Sequence, residues 1–467
     1  MSRDMIAKRL YADPFAFLRT PLLVPLVITC IAFAIAMYAA TSNYPMGLLI
    51  ALGIALMPAL LVLSWTNPLI FPYGTYVMLV PFDLLLSIPQ LGTVARLCGA
   101  LSGVALLFWL VRNRTIVVPG PALAAWAAFI LWSGISLTWT MDATNAGREV
   151  GTLAQLGFLY AIVSLIPPTL RDARTVFAAV ALGGLAAALF GIRELAHPTV
   201  TQQLINQVSD RIPLLMGNQR LDINEFADSL LLPMALLTVY TARVRNLALK
   251  LCGVGALGLL LYAMSSAASR EAFVAVALMF GYFLFVLPER RQIGLMAVAL
   301  AALASANGNL LHRFLSASAS GGSGRLDIWS TGLAAFRQHW AFGAGSGSFA
   351  AAYDGVYLKV FQTYDMGWSR AAHNMLIQNG VEYGVIGLAL LVGALIFTFR
   401  SLPKLGPDHP LFGMRAGLVG ALLGLCVAGL FVDLTTAKVF WLALSLFALL
   451  RACVANGESA REATGPA

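Results

Sequence analysis

Arginine and histidine are the residues of this chain with the clearest chemical use. Arg325 stands in GGSGRLDIW, Arg370 and His373 in SRAAHNML, Arg270 in SSAASREAF and Arg220 in GNQRLDINEF. A guanidinium grips phosphate oxygens through paired, charge-assisted hydrogen bonds that contribute about 1.5–3 kcal/mol each. A neutral imidazole, with an unperturbed pKa of about 6.5, takes a proton from a hydroxyl. Joined, the two describe displacement of a diphosphate by an alcohol: the leaving group departs as a stabilised anion, so only the nucleophile needs a base. The outward carboxylates are scattered and no His-Glu-x-x-His or multi-histidine pattern occurs, which does not favour a metal or another cofactor. Gly343, Gly345 and Gly347 alternate in AFGAGSGSF without the Lys-Ser/Thr of a nucleotide loop. A tight turn is their better reading.

Those residues must be held by a chain of 467 residues that is 59% hydrophobic and only 11% charged, against about 25% charged in a soluble domain. Its solvent must largely be lipid, and helices are what can cross lipid, at about 20 residues per span. The expectation is an all-α polytopic transmembrane bundle, one membrane domain over 1–467, with about 12–14 spans. Candidate segments are 21–40, 46–65, 69–88, 92–111, 121–138, 149–166, 175–193, 225–242, 248–265, 271–287, 292–307, 375–398, 411–431 and 434–451; the pair 46–65 and 69–88 is the weakest. The formal charge of +9 points to a positive-inside bias rather than to nucleic acid. A cytoplasmic N-terminus puts Arg112, Arg114, Arg171, Arg174, Arg243, Arg245, Arg290, Arg291, Arg400 and Arg451 on one side, with both termini cytoplasmic. No signal peptide is evident, and the five cysteines imply neither a disulfide scaffold nor a metal site.

The arginines left on the outward side concentrate in two loops, 195–224 and 308–374. The longer one opens with a flexible Ser/Gly lead-in, 316–324, and continues with Leu326, Trp329, Leu333, Phe336 and Trp340 at helical spacing. That stripe predicts an amphipathic helix lying on the membrane or over a cavity mouth. Arg325 at its start would offer an anion both a guanidinium and free backbone N–H groups. Asn374 can cap the next span, which leaves His373 at the outer mouth, either as a plain interface residue or as a base beside Arg370, Arg270 and Arg325. Ser269 is a candidate cap for the span that Arg270 opens, and Arg270 itself can be a snorkelling side chain. Asp228, inside the span 225–242, needs a partner or an aqueous cavity.

The stretch GRLDIWSTGLAAFRQHWAFGAGSGSF followed by AHNMLIQNGVEYGVIGLALL resembles the bacterial O-antigen ligase and O-antigen polymerase superfamily. The likeness covers about 220–395. It rests on Arg325 and Trp329, on Gly343 and Gly345, on His373 and Asn374, on Ser269-Arg270 and on Asn224. Glu271 departs from the small residue that usually follows the Ser-Arg element. The resemblance implies an inner-membrane glycosyltransferase that moves a glycan from undecaprenyl diphosphate to an acceptor hydroxyl at the periplasmic face, by inversion and without a metal. His373 would be the base that activates the acceptor, and Arg325 and Arg270 would hold the diphosphate, with Arg220, Asn224, Trp329, Arg370 and Asn374 binding substrate. Lipid A–core oligosaccharide is the expected acceptor of a ligase, and a carrier-linked glycan that of a polymerase. A transporter or flippase for the same lipid-linked glycan is the reading from a different class.

Overall fold

The computed structural model describes residues 57–83, 87–88, 92–196, 214–216, 219–221, 223–267, 269–305, 325–360 and 369–464. The expected span 21–40, most of the 195–224 loop and the lead-in 316–324 lie outside this set. The chain divides into two compact units, Met1–Pro72 and Tyr73–Ala467. The first contributes one described helix, α1 (Met57–Thr66). In the second, α2 (Tyr73–Leu79) and a two-stranded hairpin, β1 (Ser87–Ile88) and β2 (Gly92–Thr93), precede α3 (Val94–Asn113), α4 (Pro121–Ile135), α5 (Ala143–Leu165) and α6 (Leu170–Ala196). A second hairpin, β3 (Leu214–Met216) and β4 (Gln219–Leu221), leads into α7 (Ile223–Ser229), α8 (Leu231–Arg243), α9 (Leu247–Ala267), α10 (Arg270–Val286) and α11 (Arg290–Ser305). The last elements are α12 (Arg325–Gln338), α13 (Phe349–Val360), α14 (Met375–Ser401), α15 (Phe412–Ala428) and α16 (Lys438–Thr464).

Six described helices are long and apolar enough to cross a bilayer: Val94–Asn113, Pro121–Thr138, Leu170–Arg193, Leu247–Ala267, Met375–Ser401 and Lys438–Gly457. Helix α3 shows why lipid must surround them. Ser102 and Gly103 face inward, while Leu101, Val104, Phe108 and Val111 are each at least 60% exposed. Small and polar residues inside with large apolar ones outside is the arrangement of helices packed in hydrocarbon, where a leucine has nothing to gain by hiding from its solvent. The chain is a multi-pass helical membrane protein.

Two expected spans are corrected. Segment 69–88 forms the seven-residue α2 and a 3-10 turn at Val80–Phe82 rather than a crossing helix; Pro81 has no N–H to continue the ladder. Segment 225–242 breaks at Leu230 into α7 and α8. Pro233 explains the break, because its ring would collide with the carbonyl of Ser229 in a continuous helix.

The basic helix ends gather at one end of the second unit. Arg243 pairs with Glu289 at 3.4 Å and donates to Pro407 O at 2.8 Å. Arg451 donates to Val118 O at 2.8 Å, Val117 N to Leu165 O at 2.9 Å and Asn456 Nδ2 to Pro168 O at 3.2 Å. Mid-bundle, Trp126, Phe129, Tyr383, Phe440 and Trp441 form a buried aromatic cluster with ring centroids 5.2–6.0 Å apart. The Trp126 indole N–H donates to Thr398 Oγ1 at 2.9 Å. That cluster fastens α4, α14 and α16 to one another below the opposite end, where the candidate site lies.

Candidate functional site

The site is organised by a break in α14. Gly384 takes φ +66° and ψ −167° inside the helix, so the ladder opens and its backbone groups need other partners. The glycine turn supplies them. Val385 N donates to Trp340 O at 2.7 Å, Ala344 N to Val381 O at 2.8 Å and Gly345 N to Glu382 O at 2.9 Å. Gly343, at φ +80°, leaves only 2.2 Å between an added Cβ and Glu382 O, and Gly345, at φ +95°, leaves 2.3 Å to Thr140 Cα. Bare backbone is what fits between the two helices. The turn is then tied down by Ser346 N donating to Ser136 Oγ at 3.0 Å and by Phe349 N donating to Glu382 Oε1 at 3.1 Å.

Around this anchor the structure joins several of the residues singled out by sequence. Arg325 opens α12, and its Nη2 lies 3.7 Å from Glu271 Oε1 in the first turn of α10, one residue past Arg270. Its guanidinium also sits 6.0 Å from the Phe431 ring centroid, within range of a cation–π attraction. One turn on, the Trp329 indole N–H donates to Ala372 O at 3.0 Å, and its ring lies 6.3 Å from Phe431. His373 follows Ala372 directly, half-buried, with φ +47°. A left-handed backbone at a non-glycine residue persists where neighbours hold it. Here Asn374 donates through Nδ2 to Leu430 O at 2.9 Å, accepts from Leu376 N and Ile377 N, and is followed by Met375 N donating to Gly429 O at 2.7 Å. Ser369, at φ +53°, is held in turn by Asp354, whose Oδ1 accepts from Ser369 N at 2.9 Å. Residues 369–374 therefore form a fixed strap with His373 near its end.

Helix α7, which carries Asn224 and the fully buried Asp228, packs against α9 and α10 and so lies beside the helix that Arg270 opens. Arg220 stands on β4 opposite Leu215. Two details differ from the sequence reading. Ser269 occupies the cap position of α10, yet its hydroxyl caps nothing. Helix α12 forms as expected, but Ile328, Thr331, Gly332 and Ala335 are its packed face, whereas Leu326, Leu333 and Trp340 stay 48–61% exposed. The apolar stripe is therefore split: Trp329 and Phe336 pack against the protein, and Leu326 and Leu333 do not.

Beside the strap opens a cavity of about 370 Å³ lined by Arg148, Glu149, Arg370, Gln378, Glu382 and Asp433, among others. It shares Asp433 and Thr436 with a second cavity of about 300 Å³, where Lys438 pairs with Asp83. Glu149 accepts from the Tyr383 hydroxyl at 3.2 Å, and Glu382 Oε1 from Gln378 Nε2 at 2.6 Å. Desolvation raises the Asp433 carboxyl above its ordinary value, opposed by the Thr435 hydroxyl and N–H that both donate to it. Glu149 and Glu382 belong to the outward carboxylates that looked merely scattered along the sequence, and Asp433 drew no notice there. The signal was there: a carboxylate within or beside an apolar span calls for a cavity or a partner.

Asp142 holds the start of α5, the helix that brings Arg148 and Glu149 to the cavity. It accepts from Asn145 N at 3.0 Å and from Asn145 Nδ2 at 2.7 Å. Those bonds, chiefly the backbone one, lower its pKa. A carboxyl whose folded pKa is depressed adds stability above its unfolded pKa of about 3.9 and loses it as pH falls through the folded value. Asp142→Asn keeps a capping oxygen and removes the titration. Its melting temperature should fall less steeply than that of the unaltered protein between pH 5 and pH 3 (about the window in which an aspartate titrates), as read by thermal unfolding in detergent.

Fold and site together define a multi-pass membrane protein whose arginines, histidine and carboxylates assemble at the end of the bundle opposite its basic loops. Residues 255–392 match the family model described as O-antigen ligase, and this match supports the likeness to the O-antigen ligase and polymerase superfamily. The matched stretch contains Arg270, Arg325, Trp329, Arg370, His373 and Asn374, and ends before the first of the two cavities is complete at Asp433. No curated protein matches the chain by sequence.

Proposed function

We propose that the protein transfers a glycan from undecaprenyl diphosphate to an acceptor hydroxyl at the periplasmic face of the bacterial inner membrane, as an O-antigen ligase acting on lipid A–core oligosaccharide. One observation carries the reading. The Trp329–Ala372 hydrogen bond ties the helix that begins with Arg325 to the strap that bears His373, so a phosphate-gripping cation and a proton acceptor share one neighbourhood. Glu271 engages one guanidinium nitrogen at 3.7 Å and leaves most of the five guanidinium N–H groups for an anion. Arg325 and Arg270 then hold the diphosphate, His373 takes the acceptor proton, and the acceptor oxygen bonds the anomeric carbon as the carrier diphosphate leaves it, with inversion and without a metal. Arg220 and Asn224, with Trp329, Arg370 and Asn374, flank the substrates.

Arg325→Ala should raise the donor KM by about 10–100-fold, the weight of a lost charge-assisted phosphate contact. Arg325→Lys, which keeps the charge and loses the fork, should recover only part of that. Product analysis with purified protein in lipid nanodiscs tests the reading as a whole. Incubation with a carrier-linked glycan and lipid A–core should give core bearing the glycan. Polymer growth without core would assign the polymerase activity instead, and movement of the donor with no new glycosidic bond would assign a transporter.

A further inference from the structure

We infer that the cavity lined by Asn145, Arg148, Glu149, Gln378, Glu382 and Asp433 is the subsite for the acceptor's sugar, which presents its hydroxyl to His373 from the side of the strap opposite Arg325. The inference rests on the transferase reading and adds residues on α5, α14 and the α15–α16 connection to it. Two segments run between the two places. On one, Ala371 lines the cavity while Ala372 bonds Trp329; on the other, Asp433 lines the cavity while Phe431 lies under Arg325 and Trp329. The strap thus runs from the polar chamber at Ala371 to the helix of Arg325 at Ala372, and His373 is the next residue along it.

The chamber's chemistry selects its ligand by elimination. Three carboxyl groups disfavour a free anion, and Arg148 and Arg370 disfavour a cation. An apolar group would leave these polar walls unsatisfied. A polyol fits, because each hydroxyl offers one donor and two acceptor sites, matching carboxylates below and guanidinium, amide and threonine groups around them. Glu382 is fully buried on the wall of the chamber, with the Glu149 and Asp433 carboxyls near it, and its Oε2 accepts no N–H or O–H of a neutral side chain or of the backbone among the described residues. A sugar hydroxyl is a donor that this carboxyl cluster can take. The volume of about 370 Å³ falls in the range of about 300–1,000 Å³ typical of small-ligand sites.

The test is a pair of saturation curves on the full chain in nanodiscs. One varies the carrier-linked glycan donor; the other varies the acceptor, with lipid A–core and a second carrier-linked glycan assayed in parallel. Arg148 and Asn145 are exposed on α5, so Arg148→Ala and Asn145→Trp should fold. Each should raise the acceptor KM about tenfold or more, as expected for one lost charge-assisted contact or a filled mouth, with the donor KM held within about twofold. An unmoved acceptor KM, or a shift confined to the donor, overturns the subsite while leaving the transferase standing. No turnover of either acceptor by the unaltered protein overturns both.

Discussion

His373→Ala should lower glycan transfer by about 10²–10⁴-fold, the usual contribution of a positioned general base, while the protein still folds and still retains the donor. The expectation follows from what holds the residue. Its backbone is left-handed at φ +47°, and two bonds made by its neighbours hold the strap on either side of it: Trp329 to Ala372, and Asn374 to Leu430. Removing the imidazole therefore leaves the strap tied at both ends. His373→Asn is the companion variant, because asparagine tolerates that backbone region better than alanine and is no base. Both should show the same loss in single-turnover assays, with donor KM little changed. Full turnover by either would remove His373 from the chemistry.

The second large effect is structural. At Gly384, with φ +66°, an added Cβ would lie 2.3 Å from Ala341 O and 2.5 Å from Ala341 C. Both are backbone atoms, with no flexible side chain to give way. Gly384→Val adds the strain of a β-branched residue in the left-handed region to that overlap, together about 2–6 kcal/mol. The clash falls where the glycine turn pairs with the broken helix, so the loss should spread to the turn, to the Glu382–Phe349 contact and to the cavity wall. The variant should melt well below the unaltered protein in detergent and lose donor transfer with it. Gly393→Ala, on the same helix with nothing within 4 Å of its added Cβ, is the control and should melt no lower.

What could be read from the sequence was what depends on near neighbours. The Asn374 cap needs only the residues two and three ahead, and it forms as the spacing implied. The start of α12 at Arg325 and the turn at Gly343–Gly347 are equally local. What escaped depends on distance along the chain. Glu149, Glu382 and Asp433 meet from three separate elements, and Glu271, noted only as a departure from a motif, is the partner of Arg325. The split stripe of α12 shows a different limit: when lipid is part of the solvent, an apolar face does not say whether protein or hydrocarbon covers it. The breaks at Leu230 and Gly384 were written in Pro233 and in a glycine within an apolar run. Hydrophobicity summed over a span smooths both away.

The claim beneath the mechanism is a single displacement: a hydroxyl stripped of its proton by His373 attacks a sugar whose diphosphate is held by arginine. The anomeric configuration of the new linkage tests it most directly, read by NMR on product made from a donor of known configuration. Inversion is the predicted result. Retention would demand a covalent enzyme–sugar intermediate and a nucleophile that this arrangement gives no part, and it would contradict the account.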